Sequence, residues 1–109
     1  MDEQVRQYVE QYPSGIADMY QALRTLILDS APAPLQEKLW ARLPSYYAGE
    51  AFVRLIPFKD HINIEASAAA AHRQALTGYK MTPKGMLQIF LGQDIPGDAL
   101  RQIFEETLH

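Results

Sequence analysis

Four side chains are expected to act together as a ligand-binding set: Tyr46, Lys59, His61 and Lys84. A histidine side chain titrates close to neutral pH and can bind a metal or hold an anion. Two lysines add compact positive charge on flexible stems. Lys59 and Lys84 each flank a chain reversal, and Gly85 beside Lys84 lets backbone approach a ligand closely. A tyrosine hydroxyl can line such a pocket. Together these groups would grip a carboxylate or a phosphate at one edge of a sheet. The plainer alternative is a histidine closing a hydrogen bond at a strand start, with solvated lysines beside turns. Glu65 shares a strand face with His61, but four residues of strand span about 13 Å, so the pair cannot chelate one ion unaided.

No catalytic set accompanies them. Ser14, Ser30, Ser45 and Ser67 read as caps or turn residues, and His72 and His109 have no placed partners. HExxH, GxSxG and Walker patterns are all missing. The chain has no cysteine, which excludes disulfides, thiolate metal sites and a cysteine nucleophile. No cofactor is expected and no residue is assigned to a metal. An enzyme with an unrecognised site stays as an alternative.

These residues sit in 109 positions, enough for one domain over 1–109 with one core. Hydrophobic residues make up 48% and charged residues 21%, an ordinary globular balance. The net charge of −3 speaks against a nucleic-acid binder that relies on overall charge. No apolar run approaches the roughly 20 residues of a membrane span. The start, Met1-Asp2-Glu3-Gln4, lacks a signal peptide's basic and apolar segments. The expectation is a cytoplasmic protein with no membrane or nucleic-acid partner, as a monomer or a homodimer.

The elements that must position the four residues follow from hydrophobic period. Val5, Tyr8, Val9 and Tyr12 fall at helical spacing, and Pro13 ends that pattern with Ser14 as the next cap. Ile16, Met19, Tyr20, Leu23, Leu26 and Ile27 make one apolar stripe. Leu35 and Leu39 read as a short third helix. Strands are then expected from Pro44, through Ala51–Ile56 and His61–Ala66, with Ile62 and Ile64 on one face and His61, Asn63 and Glu65 on the other. Tyr46 and Tyr47 must face opposite sides. Ser67 is positioned to cap a helix running to Leu76, and Gly78 to end it. Met86–Leu91 reads as a last strand, and Pro96 opens a final helix burying Leu100, Ile103, Phe104 and Leu108. The order α-α-α-β-β-β-α-β-α predicts an α+β fold, a small mainly antiparallel sheet packed against N-terminal and C-terminal helices.

Charge is uneven along this order. Between Ala51 and Gly85 the bases Arg54, Lys59, Arg73, Lys80 and Lys84 face only Asp60 and Glu65, while both ends are acidic. A basic middle suits an anion. The alternative is a solvated mixed surface.

Three blocks resemble the YdhG-like family of small bacterial domains, grouped with frataxin-like and YjbR/CyaY-like proteins. They are Leu43-Pro44-Ser45-Tyr46-Tyr47, then Phe58-Lys59-Asp60-His61-Ile62, then Gly78-Tyr79-Lys80 with Lys84-Gly85, Gln88-Ile89-Phe90 and Ile95-Pro96. The chain departs from the family at Arg42 and Asn63, where glycine is usual, and at Asp60 in place of asparagine. The resemblance implies a curved antiparallel sheet on helices, and for some members an iron-chaperone role in iron–sulfur cluster assembly. Such a role needs acids close together, here Asp2, Glu3 and Glu10 beside Asp98, Glu105 and Glu106. The expected function is a non-enzymatic binding domain for a small anionic ligand or a protein partner, with an iron chaperone as the alternative.

Overall fold

Each change of hydrophobic period becomes a change of layer. In the computed structural model, which describes residues 1–109, two helices come first, α1 (Glu3–Glu10) and α2 (Ser14–Ser30). Asp2 caps α1, its carboxylate accepting the Val5 amide at 3.0 Å. Pro13, not Ser14, holds the N-cap position of α2, with no side-chain cap. The α2 stripe buries Ile16, Met19, Tyr20, Leu23 and Ile27, with Leu26 at its margin.

Four strands follow: β1 (Gln36–Trp40), β2 (Leu43–Ala48), β3 (Ala51–Pro57) and β4 (His61–Ala66). A 3₁₀ helix (Ala69–Leu76) leads to β5 (Lys80–Met81) and β6 (Leu87–Phe90), and α3 (Gly97–Leu108) closes the chain. The sheet has the order β1-β2-β3-β4-β6-β5, and every neighbouring pair is antiparallel. The fold is α+β, with helices at both ends of the chain and one six-stranded sheet between them.

Three further expectations need correction. The Leu35–Leu39 segment is strand β1, not a third helix. Its four-residue leucine spacing imitates a helix, but Glu37 and Leu39 face the core while Lys38 and Trp40 face away. The segment from Ala69 is a 3₁₀ helix with Ala68 at its N-cap and no cap from Ser67. Leu91 lies beyond β6 and is exposed, while Leu87 and Ile89 are fully buried as expected.

The register sorts the sheet into two faces. Tyr46, Val53 and Ala66 line up across it, as do Leu55, Ile64 and Leu87, and Ile62 pairs with Ile89. These rows meet the helices in a single cluster of 21 buried apolar residues. Strand side chains alternate, so every residue between them points the other way. No helix covers that second face. A two-layer arrangement leaves an antiparallel sheet open on one side.

Candidate functional site

The open face is built from rows the register dictates. Lys38, Ser45, Arg54 and Glu65 face one another across four strands, and Ile56, Asn63, Gln88 and Lys80 across another four. Gln88 donates to the Asn63 side-chain oxygen at 3.1 Å.

Two stacked columns stand on this floor. In the first, the Arg54 guanidinium carbon lies 4.1 Å from the Trp40 ring centre and 3.8 Å from that of Phe52. Its nitrogens donate to Ser45 Oγ at 3.0 Å, Tyr47 OH at 2.9 Å and Glu65 Oε1 at 3.4 Å. Arg54 is only 7% exposed on a face with no helix over it. Neighbouring side chains supply its cover, and ring faces and hydroxyls replace its water. In the second column, His61 is stacked between Phe58 and Phe90, with ring centres 4.5 and 4.6 Å away and interplanar angles of 7° and 22°. Lys80 reaches the Phe90 ring from β5, its Nζ 5.4 Å from the centre. The His61 Nδ1 is 2.7 Å from Asp60 Oδ1.

Strand direction fixes which loops share an end. The β1–β2 loop, Ala41–Arg42, and the β3–β4 loop, Phe58–Asp60, both lie at one end of the sheet, because alternate antiparallel strands return there. Trp40 is 50% exposed and Phe58 42% exposed, two large apolar side chains of this end, where Leu91 is exposed as well. Ala41 and Arg42 have φ of 48° and 66°, left-handed values that side chains rarely adopt. A two-residue hairpin loop of type I′ demands positive φ at both positions. Here it holds Arg42, in strained backbone, at the rim of the open face.

The four expected ligand residues do not converge. Tyr46 faces the core and is fully buried, and Tyr47 is the tyrosine on the open face. Lys59 and His61 share the Trp40 end. Lys84 lies in the β5–β6 loop at the opposite end, in a cleft of about 420 Å³ with Glu50, Glu65, Ser67 and Gly85. The reason is register. His61 pairs with Phe90, so the other end of β6, where Lys84 approaches, lies beside the far end of β4.

Apart from Tyr8, pushed up to about 12 by burial and the Tyr12 hydroxyl, the strongly perturbed groups lie in a closed network under β1. The Tyr20 and Tyr46 hydroxyls are 2.5 Å apart, and burial pushes both well above the usual tyrosine range. Burial would also raise Glu37, but Arg24, the Asp2 amide and the Tyr46 hydroxyl outweigh it and hold the carboxyl below its ordinary value. Arg24 Nε donates to Glu37 at 2.6 Å and the Asp2 amide at 2.7 Å. Every buried side-chain polar atom in the chain has a partner. This network ties α2 and the N-terminus to β1; it leaves nothing aimed at a ligand.

The acidic helices do not make a ridge. α1 packs on β1 and α2, whereas α3 packs on α2, β3 and the 3₁₀ helix. Arg6 engages both Glu3 and Glu10, and Glu106 meets His72 Nε2 at 3.0 Å. No group of three or more His, Asp or Glu side chains is placed to hold a metal ion. No helix is long and apolar enough to cross a membrane.

Comparison with protein-family models, with curated proteins and with solved structures returned no match to this chain.

Trp40, Arg54, Phe52 and Phe90 escaped the sequence reading as a surface. Reading β1 as a helix hid the strand that carries Trp40. The alternation Phe52, Arg54, Ile56 against Val53, Leu55 was the available signal for the rest.

Proposed function

We propose that this chain is a non-catalytic binding module that receives a protein partner on the uncovered face of its sheet. One observation carries the reading: helices cover one face, and the other bears an ordered array of rings and cations with Trp40 half exposed at its rim. Contact hot spots are enriched in tryptophan, tyrosine and arginine, and this face supplies all three in Trp40, Tyr47 and Arg42. No cleft opens at the Trp40 and Phe58 end of this face, which suits a protein surface better than an enclosed small molecule. Phe58 and His61, from the block that carries part of the resemblance to YdhG-like proteins, build its second column with Phe90.

Catalysis has less support. An active site usually gathers ionisable groups with shifted pKa values in one accessible cleft. Of the shifted groups here, Tyr20 and Tyr46 face each other inside the core, and Glu37 is closed off beside them by Arg24 and the Asp2 amide.

Native mass spectrometry of the protein purified from its own host tests the reading. The expected result is a complex with a polypeptide, weakened when Trp40→Ala is expressed instead. A retained molecule of small mass, unaffected by Trp40→Ala, would contradict it.

A further inference from the structure

The charge of this molecule is segregated between its layers. Residues 38–84, which carry most of the sheet, hold seven Lys and Arg against three acids; the flanking segments hold three against ten. The helices α1, α2 and α3 themselves hold three bases against seven acids, while the open face and its rim carry Lys38, Arg42, Arg54, Lys59 and Lys80 against Asp60 and Glu65. On that face Glu65 pairs with Arg54, and the exposed Asp60 lies 2.7 Å from His61 Nδ1. Arg42, Lys59 and Lys80 are exposed and appear in no ion pair.

Resting on the binding role given above, we propose that the partner is an acidic polypeptide segment with interspersed apolar side chains. It docks at the end of the open face that carries both the hairpin of Trp40 and Arg42 and the loop of Phe58 and Lys59. Three features converge there. The exposed cations have no internal partner, so carboxylates brought to them displace no existing bond. Trp40 and Phe58 provide apolar anchor surface between the cations. The strained left-handed Arg42 puts a guanidinium at the tip of the hairpin, at a place where glycine would be comfortable.

The columns discriminate against nucleic acid. Sheet surfaces that bind single strands offer free ring faces on which bases stack. Here His61 lies between two phenyl rings, Phe90 has His61 and Lys80 on it, and Arg54 covers Trp40 and Phe52. Each of these rings has a neighbour on it, so the surface left for a base to stack on is confined to the exposed parts of Trp40 and Phe58. The anionic helix layer and the net charge of −3 would further repel a polyanion as long as a nucleic acid.

Trp40 is the one tryptophan of the chain, so its emission reads this end directly. The test is a fluorescence titration with a synthetic peptide of glutamate and leucine, its glutamine–leucine analogue, and an oligothymidylate. The expected result is saturable change of Trp40 emission with the acidic peptide alone, weakened about tenfold or more by molar salt or by Arg42→Glu with Lys59→Glu. Both substitutions lie in exposed loops, and circular dichroism verifies that the fold is kept. Equal binding of the glutamine analogue, or tighter binding of the oligonucleotide, would overturn the acidic partner. If none of the three binds while crosslinks from the open face still capture a partner in cells, the acidic claim fails and the binding face stands. If no crosslink forms there either, both fail.

Discussion

The guanidinium of Arg54 is held between the rings of Trp40 and Phe52, 4.1 and 3.8 Å from their centres, on a sheet face with no helix above it. A charge 7% exposed needs compensation on all sides, and Ser45, Tyr47 and Glu65 complete it. Trp40 should therefore be coupled to Arg54 energetically. A double-mutant cycle of Trp40→Ala and Arg54→Met by urea denaturation should give a coupling of about 0.5–2 kcal/mol. Additive effects would mean that the stack is only a contact of convenience.

The β1–β2 hairpin predicts an opposition between stability and binding. Left-handed backbone costs about 1–2 kcal/mol at a residue with a side chain, and Ala41 and Arg42 both adopt it. Ala41→Asn with Arg42→Gly matches the preference of this loop type. The variant should gain about 1–2 kcal/mol in stability and lose affinity for an acidic partner. Thermal unfolding and the peptide titration on the same preparation check both halves.

Glu37 gives the chain a defined acid limb. Its carboxyl titrates lower in the folded protein than in the unfolded chain. The unfolded state thus binds its proton first as pH falls, and the stability Glu37 contributes is complete above its ordinary value of 4.5. That contribution drains away between 4.5 and the lower folded value. Glu37→Gln should flatten the pH dependence of stability in that window and cost about 1–3 kcal/mol at neutral pH, because Arg24 and the Asp2 amide lose a charged acceptor. An unchanged acid limb would show that another carboxylate governs it.

Tyr46→Phe tests the placement of that tyrosine. Its hydroxyl sits in the core beside Tyr20. Removing it should cost about 1–2 kcal/mol in chemical denaturation and leave binding at the open face unchanged. A loss of binding without loss of stability would return Tyr46 to the site.

The helices and the central strands were legible because their periods are clean. The α2 stripe repeats at three and four residues, and Ile62 and Ile64 alternate with His61 and Asn63. β1 was not legible, for a physical reason. Its turn runs through Ala41-Arg42, which carries none of the Asn-Gly signal of a tight hairpin, so nothing announced a strand before it. β5 is two residues long, too short for any period to show. Of the expected site, Lys59 and His61 came together because they lie two residues apart where the β3–β4 loop enters β4. Lys84 and Tyr46 depend on strand direction and register, which no local pattern records.

Site-directed photocrosslinking in the native host distinguishes the open sheet face from the helix face as the docking surface. A benzophenone amino acid would replace Phe58 or Trp40 on the open face, and Gln21 or Glu105, both exposed, on the helix side. The account predicts one discrete protein adduct from the two sheet positions, suppressed by Arg42→Glu, and none from the helix positions. Adducts formed from Gln21 or Glu105 while Phe58 and Trp40 stay silent would contradict it.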